Sequence, residues 1–133
     1  MTIKVSWFNS EKTIILQKRE PGWTWKDFDA AVDQYVDMAR SVDQKTAIII
    51  DCLDAPTPPS SAVLGHYRRA GNLAPKNLVR MVIVADREGF METTGRIYDS
   101  ITPRRFLYFV QTIKEAEALC YEVLASASNK DQS

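Results

Sequence analysis

The chain has 133 residues, 45% of them apolar and 26% charged, which is the usual composition of a soluble globular domain that buries its core without metals or disulfides. Lys plus Arg and Asp plus Glu number 17 each, for a formal net charge of zero, which argues against a nucleic-acid binder. Ile3–Phe8 and Thr13–Arg19 are short stretches rich in β-branched residues, separated by polar NSEK, and predict a hairpin. In PGWTWKDF, Thr24 is placed as an N-cap with Asp27 at N3, and Trp23 at N′ can staple onto Phe28 at N4. Trp25, Phe28, Val32, Tyr35, Val36 and Ala39 continue at a 3.6-residue period, so a first helix is expected from Trp25 to Val42.

Ala47–Cys52 is continuously apolar up to Asp51 and Cys52, the pattern of a central parallel strand buried on both faces. The proline-rich DAPTPP follows, then a second helix starting at Ser60 or Ser61 and ending between Leu73 and Pro75. Leu78–Ala85 predicts another buried strand. In EGFMETTGRIYDSI, Phe90, Thr94, Ile97, Tyr98 and Ile101 fall at helical spacing before Pro103, which predicts a third helix. Phe106–Val110 reads as a fifth strand. Thr112 and Glu115 form a capping box for a last helix carrying Ala116, Leu119, Cys120, Val123 and Leu124. The order β-β-α-β-α-β-α-β-α predicts an α/β fold with a five-stranded, mostly parallel mixed sheet, an N-terminal hairpin and four helices. One domain is expected over residues 1–126, followed by a polar, disordered tail at 127–133.

Little in this sequence points to catalysis. The lone histidine, His66, is five residues from Ser61 on one helix, a poor spacing for a Ser-His pair, and no G-x-S-x-G elbow is present. There is no glycine-rich phosphate loop. Asp51, Asp54 and Asp86 lie at the carboxyl ends of expected parallel strands, where α/β sheets bind ligands, but solvated loop acids and helix caps are the ordinary reading. Cys52 and Cys120 stand in apolar segments without C-x-x-C spacing, as small hydrophobes in a reducing compartment do. No metal or other cofactor is expected. MTIKVSWFNSEKT lacks an apolar leader, and no apolar run is long enough for a membrane span, so a cytoplasmic protein is expected.

Ser60 and Ser61 are placed to cap the second helix, and a helix N-terminus also tolerates a phosphate. A hairpin, a helix, a buried strand ending in Asp51, a loop, and serines opening a helix together resemble the STAS domains, the bacterial anti-sigma factor antagonists with a SpoIIAA-like fold. The resemblance spans about Ile3 to Leu124, mostly in element order, with PGWTWKDFDAAVD and FVQTIKEAEAL similar to bacterial SpoIIAA-like sequences. It implies a helical layer on a mixed sheet and a signalling role through protein binding, with an anti-sigma factor or a serine kinase as partner. It also implies phosphorylation at Ser60 or Ser61, with Asp51 matching the acid that ends the preceding strand. Leu53 stands where the family has serine, Pro59 where it has aspartate before the switch serine, and Gly65 comes four residues after Ser61 instead of two.

The expectation is therefore a non-catalytic interaction module. Its contact surface would be formed by Asp51, Asp54, His66, Arg68 and Arg69, with a homodimer as a further mode of association. The alternative is a carrier of a small hydrophobic or lipid-like ligand, with Phe90, Met91, Ile97 and Tyr98 lining the pocket.

Overall fold

The structure is a computed structural model, and it describes residues 2–55, 59, 63–85 and 107–132. Five strands form one mixed sheet in the order β1-β2-β3-β4-β5. β1 (Ile3–Trp7) and β2 (Ile14–Arg19) are antiparallel, in a register running from Ile3 opposite Arg19 to Trp7 opposite Ile15. Their connection is organised by Asn9, whose Oδ1 accepts the backbone N–H groups of Thr13 at 3.0 Å and Ile14 at 3.1 Å. Lys12 takes a left-handed φ of 57° in this turn, a conformation that costs an L-residue energy and that the Asn9 bonds help to hold.

β3 (Thr46–Asp51), β4 (Leu78–Val84) and β5 (Leu107–Val110) then add in parallel, each beside the last. The connections contain α1 (Trp25–Arg40) between β2 and β3, and α2 (Val63–Leu73) between β3 and β4. Successive crossovers of one hand, stepping the same way across the sheet, must leave their helices on the same face. One core cluster accordingly joins Phe28, Val32, Tyr35 and Val36 of α1 and Tyr67 of α2 to Ile15, Ile48, Ile50 and Ile83 of the sheet. The alternate strand residues, Ile14, Ala47, Ile49, Val82 and Val84, point the other way and meet Ala116 and Cys120 of α3 (Ile113–Gln132).

The unbroken apolar run of β3 is explained by this arrangement, since both of its faces are covered. Helices cover both faces of the sheet, because Ile49, Val82 and Val84 would otherwise stand in water. Among the described residues there are three helices. Ser60, Ser61, Asp86 and the segment expected to form another helix, with Phe90, Met91, Ile97 and Tyr98, lie outside the described residues. Along 127–132, expected to be a disordered tail, α3 continues as far as Gln132. No glycine or proline follows Thr112 to stop it.

α1 starts as its sequence requires. Thr24 Oγ1 accepts the Asp27 N–H at 3.2 Å, and Asp27 Oδ2 accepts the Thr24 N–H at 3.0 Å, which completes the capping box. Trp23 stacks on Phe28 with ring centroids 6.0 Å apart, the expected staple. The helix ends at Arg40, two residues before the expected Val42. There Asn77, from the turn before β4, donates to the carbonyls of Ala39 at 2.7 Å, Gln44 at 3.1 Å and Val42 at 3.2 Å. One side chain thus serves the free carbonyls at a helix end and ties α1 to the start of the next strands.

Asp27 also accepts the Thr2 hydroxyl at 2.5 Å. This bond, then the Thr24 backbone and side-chain bonds, holds its carboxyl below the ordinary value of 3.8, against a smaller upward push from desolvation. The folded pKa is depressed, so the associated stability is complete above the unfolded value and is lost as pH falls through the lower folded one. Thr2→Val removes the largest cause. In an NMR titration of the side-chain carboxyl, the Asp27 pKa is expected to move up towards 3.8. An unchanged titration would mean that the Thr2 bond does not form in solution.

Candidate functional site

Ile15, Gln17 and Arg19 alternate onto the face of β2 that α1 covers. The last two are polar, yet they are 0% and 1% exposed. Arg19 ends the strand, and five residues later the chain reaches Thr24 and turns into α1. Its guanidinium therefore lies beneath the aromatic residues that open that helix. It sits 4.8 Å from the ring centroid of Trp23 and 5.2 Å from that of Phe28. Its Nε donates to Gln17 Oε1 at 2.9 Å, and it hydrogen-bonds the Cys52 side chain at the end of β3. Burial pushes the Cys52 thiol up despite that neighbour, so it is not poised as a nucleophile. Burial likewise raises the Tyr35 hydroxyl to about 12, against the pull of Arg19 and Arg69.

Around Arg19 the rings form one assembly. Trp25 meets Trp23 edge-on at 5.1 Å and Phe28 at 5.1 Å. The His66 ring lies flat against Trp25, with centroids 4.5 Å apart and planes within 3°. Tyr67 closes the group against Trp25 and Phe28. Gln17 Nε2, Trp23 Nε1 and Trp25 Nε1 are buried N–H donors that find no acceptor. Such a group costs about 1–3 kcal/mol in a folded protein.

His66 Nδ1 lies 3.0 Å from Asp29 Oδ1 of α1. A carboxylate only accepts, so Nδ1 is the donor. The acid that meets the histidine thus comes from α1 and is neither Asp51 nor Asp54. Arg69 donates to Asp33 Oδ1 at 2.7 Å and lies 3.7 Å from Asp29 Oδ1. His66 and Arg69, expected on a contact surface, thus pin α2 to α1, whereas Arg68 is exposed. Asp51 Oδ1 accepts the Leu53 N–H at 3.0 Å, bracing the turn after β3. On that turn Leu53 is 44% exposed, and Asp54 reaches to within 3.9 Å of Lys18, both ends of that pair being open to water.

The sequence reading missed the grouping of Gln17, Arg19, Asp29 and Asp33. A signal for part of it was present, since a strand-ending arginine followed within a few residues by Trp23 and Trp25 invites a cation–π stack. Asp29 and Asp33 carried no such signal, because acids at this spacing on a helix are ordinarily solvated. Among the described residues no group of three or more His, Cys, Asp or Glu side chains could hold a metal ion, and no helix is long and apolar enough to cross a membrane. No protein-family model matches the chain, and no curated protein matches its sequence.

Proposed function

We propose that the protein is a non-catalytic, cytoplasmic regulator that works by binding another protein. On this reading it has the SpoIIAA-like fold, with a further helix between β4 and β5, and acts as anti-sigma factor antagonists do. The observation that carries the reading is the turn after β3. A large apolar side chain, Leu53, is held out at 44% exposure on a turn braced by Asp51 and flanked by the exposed Asp54. Exposed loop residues on a rigid frame are a common site of recognition, and a braced turn loses little further entropy when a partner covers it. Arg68 on α2 extends the surface, and Ser60 and Ser61 lie between the two in sequence. A phosphate there would add up to about two negative charges to that surface and change which partner it accepts.

Two measurements test this reading. Phosphorylation is mapped after co-expression with the serine kinases of the host, where modified Ser60 or Ser61 is expected. In parallel, a partner captured by the wild-type chain is expected to be lost from Leu53→Arg and from the double substitution of Ser60 and Ser61 by Asp. Unmodified serines together with an unchanged partner would overturn the switch. Undiminished binding by Leu53→Arg would overturn the surface.

A further inference from the structure

β1 is an outer strand of the sheet. Phe8 N–H donates to the Ile14 carbonyl and Glu20 N–H to the Thr2 carbonyl, each at 2.7 Å. In an antiparallel pair such bonds fall on alternate residues, so Thr2, Lys4, Ser6 and Phe8 turn their backbone groups toward β2. Ile3, Val5 and Trp7 turn theirs away from the sheet. Among the described residues one of these outward groups is met: the Val5 carbonyl accepts from Gln34 Nε2 of α1 at 3.2 Å. The devices that usually protect an edge are weak here. β1 has no proline or bulge, and its one lysine, Lys4, is drawn to Glu20 at 3.2 Å. The apolar face also stops short at this edge. Ile15 and Gln17 of β2 are 0% exposed, whereas Val5 and Trp7 beside them remain partly exposed.

We infer that this edge pairs with the same edge of a second copy of the chain, antiparallel and centred on Val5, so that two sheets become one. Ile3 then stands opposite Trp7 of the second copy and Val5 opposite Val5, and each such pair can exchange both backbone bonds. Val5 and Trp7 gain the apolar neighbour they lack. Lys4 stands opposite Ser6, so no like charges meet directly. α1 fits the same axis. Gln34 reaches Val5, so a two-fold axis beside Val5 passes beside Gln34 as well. Ala30, Gln34 and Met38 share one helix face, and the axis sets the exposed Ala30 against the partly buried Met38 of the second copy. A surface that complements itself in strand register, charge and helix contact selects a second copy over an unrelated strand. The Gln34 bond to Val5 is replaced by a backbone bond, and its amide returns to water. β2 lies between this strand and β3, whose turn carries Leu53, so the inference goes beyond the partner-binding reading and does not depend on it.

Sedimentation velocity of the purified chain over a concentration series is expected to show a reversible monomer–dimer equilibrium. Amide exchange followed by NMR is expected to slow at Ile3, Val5 and Trp7 as concentration rises, while Lys4 and Ser6 are protected throughout by β2. Ser6 is exposed, so a charge there tests the register with little effect on the monomer. Ser6→Lys sets a lysine against Lys4 of the second copy, twice by symmetry, and is expected to weaken dimerisation at least about tenfold. Ser6→Glu sets an acid there and is expected to dimerise at least as tightly as wild type. Ala30→Arg, which changes only the helix contact, is expected to weaken the dimer too, and it serves if Ser6→Lys does not fold. Leu53→Arg is expected to leave the dimer unchanged. A chain that stays monomeric up to about 1 mM, with Ile3, Val5 and Trp7 unprotected, would overturn the inference and leave the edge to a strand of another protein. So would a dimer indifferent to both Ser6→Lys and Ala30→Arg, or one whose Ile3, Val5 and Trp7 amides exchange as fast as in the monomer.

Discussion

Replacing Arg19 by alanine is expected to lower the stability of the fold by about 3–5 kcal/mol, the range for truncating a large, fully buried side chain. Three losses combine. Gln17 Oε1 forfeits the donor that reaches it at 2.9 Å. The faces of Trp23 and Phe28 lose the guanidinium that covers them. The volume of a side chain only 1% exposed is left empty. Arg19→Met separates charge from volume: it refills the space with a flexible apolar chain and is expected to cost less than half as much. Arg19→Lys falls between the two, because an ammonium cannot lie flat on an indole and present a fork of donors at once. Urea unfolding with linear extrapolation checks the order, alanine worst and methionine mildest. An alanine variant within about 1 kcal/mol of wild type would mean that Arg19 is dispensable to the packing of α1.

Phe28→Ala is expected to cost a similar about 3–5 kcal/mol. Phe28 is the point at which the first turn of α1 meets everything beneath and beside it. Its ring stacks with Trp23, stands edge-on to Trp25 at 5.1 Å, and touches Tyr67 of α2 at 5.6 Å. The loss therefore removes a staple, a ring contact between helices and half the cover of Arg19 together. Phe28→Leu, which keeps most of the apolar volume, is expected to cost about 1 kcal/mol. Unfolding midpoints measure both, and the emission of Trp23 and Trp25 should shift in the alanine variant, where water reaches them. A loss below about 1 kcal/mol for Phe28→Ala would contradict the packing described. Because Arg19 and Phe28 are in contact, the double variant is expected to lose less than the sum of the two single losses.

Much of the fold was legible from local signals. The capping box at Thr24 and the Trp23–Phe28 staple involve residues within five positions of each other, and the chain builds them as expected; at Thr112 the hydroxyl caps the Glu115 N–H, while Glu115 accepts that hydroxyl instead of the Thr112 backbone N–H. The doubly buried β3 was legible for the same reason, since a run of apolar residues without alternation is a property of the strand itself. The candidate site was less so. Gln17 and Arg19 stand in β2 where a period-two reading cannot say which face is covered. Leu16 and Lys18 alternate with them equally well, and only the crossover to α1 decides that Gln17 and Arg19 lie beneath a helix. Their polar character argued for the solvent side, and the depth of the aromatic group overrode it.

The sequence alone determined the described strands, the first two described helices, the Thr24 cap and the parallel order, because periodicity, capping and β-branching act over a few neighbouring residues. Tertiary structure alone decided that His66 faces Asp29 across 37 positions and not the nearer Asp51 or Asp54. It likewise decided that α3 closes the second face, and that a cation is buried against Trp23 and Phe28. Each of these joins residues whose spacing along the chain carries no period. They meet only when strand register and helix placement have been set by the burial of the two apolar faces of one sheet.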